Sequence, residues 1–111
     1  MLDRLRDRIL EFRDLRDWKQ FHDPKNLAEA IAIESGELLE NFLWRTSEES
    51  RRMPEDAIRA IGEEMADIAI FLTILASELG LNIEETVNRK LELNEERYPV
   101  EAVRGRAMKR P

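Results

Sequence analysis

Residues 24–44 read PKNLAEAIAIESGELLENFLW. Asp23 in front of Pro24 offers an N-cap followed by proline at the first helical position, so a helix is expected from Pro24 to about Trp44. Its apolar stripe runs Leu27, Ile31, Glu34, Leu38 and Phe42 at steps of three and four. A glutamate therefore interrupts the seam. A second stretch does the same, because the stripe Ala57, Ile61, Glu64, Ile68, Phe71 and Leu75 sets an acid where an aliphatic side chain would pack. Each seam acid is joined by another three residues on, giving Glu34-x-x-Glu37 and Glu64-x-x-Asp67. Residues three apart are neighbours on a helix surface.

Working outward, Pro54 can open the helix that carries the second pair, and Gly80 stands where a helix C-terminal glycine belongs. Leu2, Leu5, Ile9, Phe12 and Leu15 form one face of an earlier helix reaching about Trp18. Between the acid-bearing helices, Thr46 with Glu49 can cap a short turn inside the polar loop 46–53. Asn82 with Glu85 caps a fourth helix that ends near Arg97, before Pro99. Residues 100–111 hold Arg104, Arg106, Lys109 and Arg110 against one acid, Glu101, and read as a mobile basic tail behind a single domain of residues 1–99. The fold class is all-α, a four-helix bundle.

Composition agrees. The 111 residues are 42% hydrophobic and 38% charged, with four glycines and four prolines, which suits one helical core and excludes a disordered chain. Net charge is −6, which argues against nucleic acid or an anionic membrane as a partner. Without cysteine there is no disulfide, zinc–thiolate site or thiol nucleophile. No signal peptide or 18-residue apolar run is seen, so a cytoplasmic protein is expected.

Burying an ionised carboxylate without a partner costs about several kcal/mol, so four acids near two seams call for neutralising cations. An all-oxygen set suits Mg²⁺, with Mn²⁺ as a second possibility, and suits zinc poorly. A di-iron bundle would carry Glu-x-x-His, and the single histidine, His22, lies in no such motif. Mg²⁺ commonly shares its coordination with substrate phosphates, which points to a nucleotide or other polyphosphate. The competing reading is that acid pairs in a chain with 24 acids are solvated helix faces.

The wording around the acids is more specific than the acids themselves. ESGELLENFLW from Glu34 to Trp44, GEEMADIAIFL from Gly62 to Leu72, the run Asp17-Trp18-Lys19-Gln20-Phe21-His22 with Pro24, Lys25, Asn26 and Leu27, and Lys90 with Asn94, Arg97, Tyr98 and Pro99 together resemble one family. It is the all-α nucleoside triphosphate pyrophosphohydrolases, the MazG-like group, and the similarity is greatest to its dCTP pyrophosphatases. The resemblance spans roughly residues 10 to 110.

That resemblance implies a Mg²⁺-dependent hydrolase that converts a nucleoside triphosphate, dCTP or a modified pyrimidine deoxynucleotide first, to the monophosphate and pyrophosphate. It implies that Glu34, Glu37, Glu64 and Asp67 carry the metal and the catalysis. Lys25, Lys90, Asn94 and Arg97 become candidates for triphosphate contacts, with Tyr98 adding a hydroxyl. Trp18, Phe21 and Trp44 become candidates for a base pocket, His22 for a base or sugar contact, and Phe71 for its wall. Relatives carry polar groups where this chain has Ile9 and Phe71, which leaves the nucleobase open. A homodimer or homotetramer is expected. The alternatives are a non-catalytic helical oligomerisation or regulatory module, and a related hydrolase of a phosphoribosyl compound or dUTP.

Overall fold

The computed structural model of the chain describes residues 2–107. Regular structure among the described residues is entirely helical, as the patterns predict. The helices are α1 (Leu2–Leu15), α2 (Pro24–Glu40), the short α3 (Ser47–Ser50), α4 (Glu55–Glu78), α5 (Ile83–Arg97) and the single turn α6 (Val100–Val103), with a 3₁₀ turn at Lys19–Phe21. Two compact units divide the chain after Gly80, the first carrying α1 to α4 and the second α5 and α6.

Local chemistry explains the starts. The Asp23 carboxylate accepts from the Asn26 backbone N–H at 2.8 Å, and Pro24 follows as the first helical residue. Thr46 and Glu49 form a reciprocal capping box around α3, at 3.1 and 2.9 Å. Asn82 accepts from the Glu85 N–H at 3.0 Å and opens α5. Pro54 is the N-cap of α4 rather than its first residue. Past the end of α4, Gly80 holds φ +69°, a left-handed conformation that costs glycine nothing.

Three ends differ from expectation. α1 stops at Leu15 instead of reaching Trp18, because Asp17 turns left-handed at φ 53°. Trp18 N–H then returns to the Arg13 carbonyl (3.1 Å) and Asp17 N–H to that of Asp14 (3.0 Å), a Schellman closure without glycine. Asp17 is held there by Gln20, whose Nε2 donates to its carboxylate and to its carbonyl, each at 3.0 Å. Second, α2 ends at Glu40 and not at Trp44: the Asn41 side-chain amide donates to the Glu37 and Leu38 carbonyls, and the chain continues in tight turns to Arg45. Third, Val100–Val103 is helical where an irregular tail was expected, while residues 108–111 lie outside the described residues.

In the first unit α2 packs chiefly on α4, and α1 packs more lightly on the same helix. Ile9, Leu27 and Ile74 form the buried core, with Leu10, Ile70, Phe71 and Leu75 against it. Of the stripe expected to bury α1, Ile9 is buried while Leu5, Phe12 and Leu15 are exposed. Arg13 goes inward instead, 4% exposed, bonding Asp14 at 2.8 Å and Glu78 of α4 at 3.3 Å. That guanidinium holds the Asp14 carboxyl below its ordinary range. By contrast, every member of the α2 and α4 seams is buried or half-buried, the two glutamates included.

Candidate metal centre

Glu34 comes from the middle of α2 and Glu64 from the middle of α4, each half-buried in its seam. Glu37, one turn beyond Glu34, is exposed. One carboxylate oxygen from each of the three lies within 4.8 Å of the others. Helix pairing thus gathers acids from two distant stretches of sequence. One oxygen of Glu34 and one of Glu64, both Oε2, are buried without any hydrogen-bond partner. Buried acceptors are normally satisfied, so two orphaned lone-pair sets beside a third carboxylate fit a hard cation.

Crowding leaves an electrostatic mark. The Glu34 carboxyl is pushed up to about 7, chiefly by the adjoining Glu64 carboxyl, then by desolvation, then by Glu37 and by the Asp67 charge. Asp67 therefore reaches Glu34 through its field, although it is exposed and lies outside the three-oxygen group.

Aromatic groups gather in the same unit. Trp18 meets His22 edge to face at 6.4 Å, and His22 meets Phe71 of α4 at 6.2 Å. At the other end Phe12 packs edge-on to Trp18 at 5.8 Å and carries the Arg16 guanidinium 3.6 Å above its ring. The His22 Nδ1 atom is buried without a partner. Of the proposed base-pocket residues, Trp18, His22 and Phe71 are brought together. Phe21 is exposed, and Trp44 is bare at 94%. In the sequence Phe12 reads only as part of the first helix's apolar face and Asp17 only as part of the Asp17–His22 run, while Arg16 is given no role; the signal for the turn at Asp17 was the tolerance of aspartate for left-handed φ.

Lys25 is exposed in the first turn of α2 and pairs with Glu29 at 3.7 Å. In the second unit Lys90, Asn94 and Arg97 stand four and three apart along α5 and so share one of its faces. Tyr98 is the C-cap, its N–H donating to the Asn94 carbonyl at 2.8 Å.

The MazG-like family pattern matches residues 29–109, which include all four acids and the Lys90–Tyr98 motif. This chain belongs to the MazG-like family. Among similar proteins, dCTP pyrophosphatase 1 of Bos taurus is 40% identical over 111 residues, and that of Mus musculus 38% over 110. The Homo sapiens protein of the same name is 36% identical over 111 residues. Each alignment takes in 97% of this chain and 65% of the relative, so the chain spans just under two-thirds of the length of these relatives. A crystal structure of a pyrophosphatase from Archaeoglobus fulgidus superposes with a TM-score of 0.83 at 44% identity, covering 88% of this chain and 92% of the other. Among the described residues no single helix is long and apolar enough to cross a membrane.

Proposed function

We propose that this chain is a divalent-metal-dependent nucleotide pyrophosphohydrolase, cleaving a nucleoside triphosphate between its α- and β-phosphates to give the monophosphate and pyrophosphate. The observation that carries the reading is the three-carboxylate group on α2 and α4 with two buried, unpartnered oxygens. Pyrophosphatase relatives on either side of the comparison, by sequence and by structure, support the reaction class.

Glu34, Glu37 and Glu64 would hold the metal, with Asp67 adding charge nearby; Mg²⁺ is the ion assigned, and Mn²⁺ an acceptable substitute. When bound, such an ion supplies neutralisation of phosphate charge and polarises the phosphorus under attack. The carboxylates orient the attacking water and accept its proton. Trp18, His22 and Phe71 offer ring surface for the base, and Phe21 and Trp44 are assigned to the same pocket on the resemblance alone. Lys25, Lys90, Asn94 and Arg97 are assigned to the phosphates on that same ground, with Tyr98 as a further donor. dCTP or a 5-substituted relative is the substrate assigned, in a cytoplasmic homodimer or homotetramer acting on free nucleotides and not on nucleic acid or membrane.

The test is pyrophosphate release from dCTP, dTTP, dUTP and dATP with Mg²⁺ and with chelator. Release that needs the ion and is lost in Glu64→Gln supports the reading. Absence of pyrophosphate from every nucleotide, with Mg²⁺ and Mn²⁺ both tried, overturns it.

A further inference from the structure

We propose that Asp17 and Gln20 are positioning residues for Trp18, and that the strained turn they close holds the indole ready to receive a nucleobase. The proposal rests on the reading of Trp18 as a base contact and adds what orients that ring.

The backbone is left-handed at three places among the described residues. Gly80 at φ +69° and Gly105 at φ +76° get there without a Cβ, whereas Asp17 gets there at φ 53° with one. Glycine would make the same turn at no steric cost, so what aspartate adds at this position is its carboxylate. Gln20 uses it. The Gln20 Nε2 amide donates to the Asp17 carboxylate and to the Asp17 carbonyl, each at 3.0 Å. That carbonyl belongs to the peptide joining Asp17 to Trp18, and the N–H at the other end of the same peptide donates to the Arg13 carbonyl at 3.1 Å. Both polar ends of the peptide are therefore tied. On its far side the Trp18 carbonyl accepts from the Phe21 N–H at 2.9 Å, which fixes the backbone after the indole as well as before it.

Trp18 depends on that support because packing alone does not wedge its ring. The side chain is exposed, and its ring meets Phe12 and His22 edge-on with centroids 5.8 and 6.4 Å apart. The allowed rotamers of such a side chain follow the backbone beneath it. A ring already ordered in the free protein costs a ligand nothing to order on arrival, whereas a loose one subtracts from affinity. Asp17 and Gln20 therefore act on binding through Trp18, and the carboxylates of α2 and α4 keep their chemistry without them.

Three variants test this by pyrophosphate release from dCTP with Mg²⁺ and by NMR relaxation of the Trp18 indole N–H, assigned by its loss in Trp18→Phe. Asp17→Gly keeps the turn, relieves the strain and removes the acceptor, and Gln20→Ala removes the donor from an exposed position. Each should raise KM about fivefold with kcat kept, and each should loosen the indole in the nucleotide-free protein. Asp17→Asn retains an acceptor oxygen and the tolerance for left-handed φ, and should stay near the parent in both readouts. A turn that served the fold alone would leave Asp17→Gly with the parent's KM. That result, or an indole as rigid in Asp17→Gly and Gln20→Ala as in the parent, overturns the proposal while the parent's turnover upholds the hydrolase reading. A parent that releases no pyrophosphate from any nucleotide fails the hydrolase reading first and this proposal with it. Helical circular dichroism checks each fold, and should Asp17→Gly not fold, Gln20→Ala decides by the same two readouts.

Discussion

Glu34 of α2 and Glu64 of α4 meet across the seam between their helices, each with one carboxylate oxygen buried and without a donor. Two ionised acids in that position oppose each other and oppose helix packing unless one of them takes up a proton or a cation lies between their charges. Three carboxylates gathered in this way could hold a metal ion, at a cost to the stability of the metal-free chain.

Replacing Glu34 or Asp67 by Ala is therefore expected to abolish pyrophosphate release while leaving a folded chain. Without metal, Glu34→Ala should melt no lower than the parent, and higher at pH 8, because a crowded acid has been removed. Turnover assays and thermal melts in chelator check both halves, and near-normal turnover in either variant would remove the metal mechanism.

Glu34 also sets a pH dependence. Its folded pKa, about 7, exceeds the ordinary value of 4.5, so the folded chain binds the proton more tightly than the unfolded one. The stability it contributes is full below about pH 4.5 and is lost as pH rises to about 7. The metal-free protein should lose melting temperature across that window, Glu34→Gln should flatten the loss, and Mg²⁺ at pH 8 should restore it. A melting temperature that rises steadily from pH 5 to pH 8 in chelator would contradict this.

Arg13 is the buried cation that ties α1 to Glu78 of α4. Arg13→Ala leaves Glu78 half-buried and unpaired, and should cost about 3 kcal/mol in urea unfolding, within the range for breaking a buried pair from one side. Arg6→Ala, whose partner Asp7 is exposed, should change stability by less than about 0.5 kcal/mol.

The ring surface at Trp18 and Phe71 is largely apolar, and apolar contacts discriminate by only about 1 to 3 kcal/mol. Values of kcat/KM for dCTP, dTTP and dUTP should therefore lie within about a hundredfold of one another. A preference for dCTP beyond about ten-thousandfold would mean that buried polar groups read the base, with the unpartnered His22 Nδ1 the first to test by His22→Phe.

Much of this was legible in the chain because the informative features are local. Caps at Asp23, Thr46 and Asn82 use side chains three residues from their targets, and the acids in the stripes announce themselves by breaking a 3.6-residue period. The ends of α1 and α2 were not legible, since aspartate at a left-handed position and an asparagine donating to last-turn carbonyls have weaker signatures than glycine. Nor was the inward turn of Arg13, which depends on Glu78 far along the sequence. At the site, periodicity supplied the seam acids Glu34 and Glu64. That Glu37 joins them more closely than Asp67 depends on how α2 and α4 pair, which no single-helix pattern contains.

The two tryptophans differ in their surroundings, Trp18 being 43% exposed and Trp44 94%, and this makes the chain its own reporter. Trp18 lies against the rings of Phe12 and His22, where an imidazole can quench an excited indole, while Trp44 is open to water. Their emission should separate into a quenched component and a red-shifted one that iodide reaches freely. A nucleotide arriving at the aromatic string would alter the first, and a simultaneous change in the second would show that Trp44 shares the same pocket. Single Trp→Phe variants would then allow the two regions to be followed separately by light in one sample, without an attached dye.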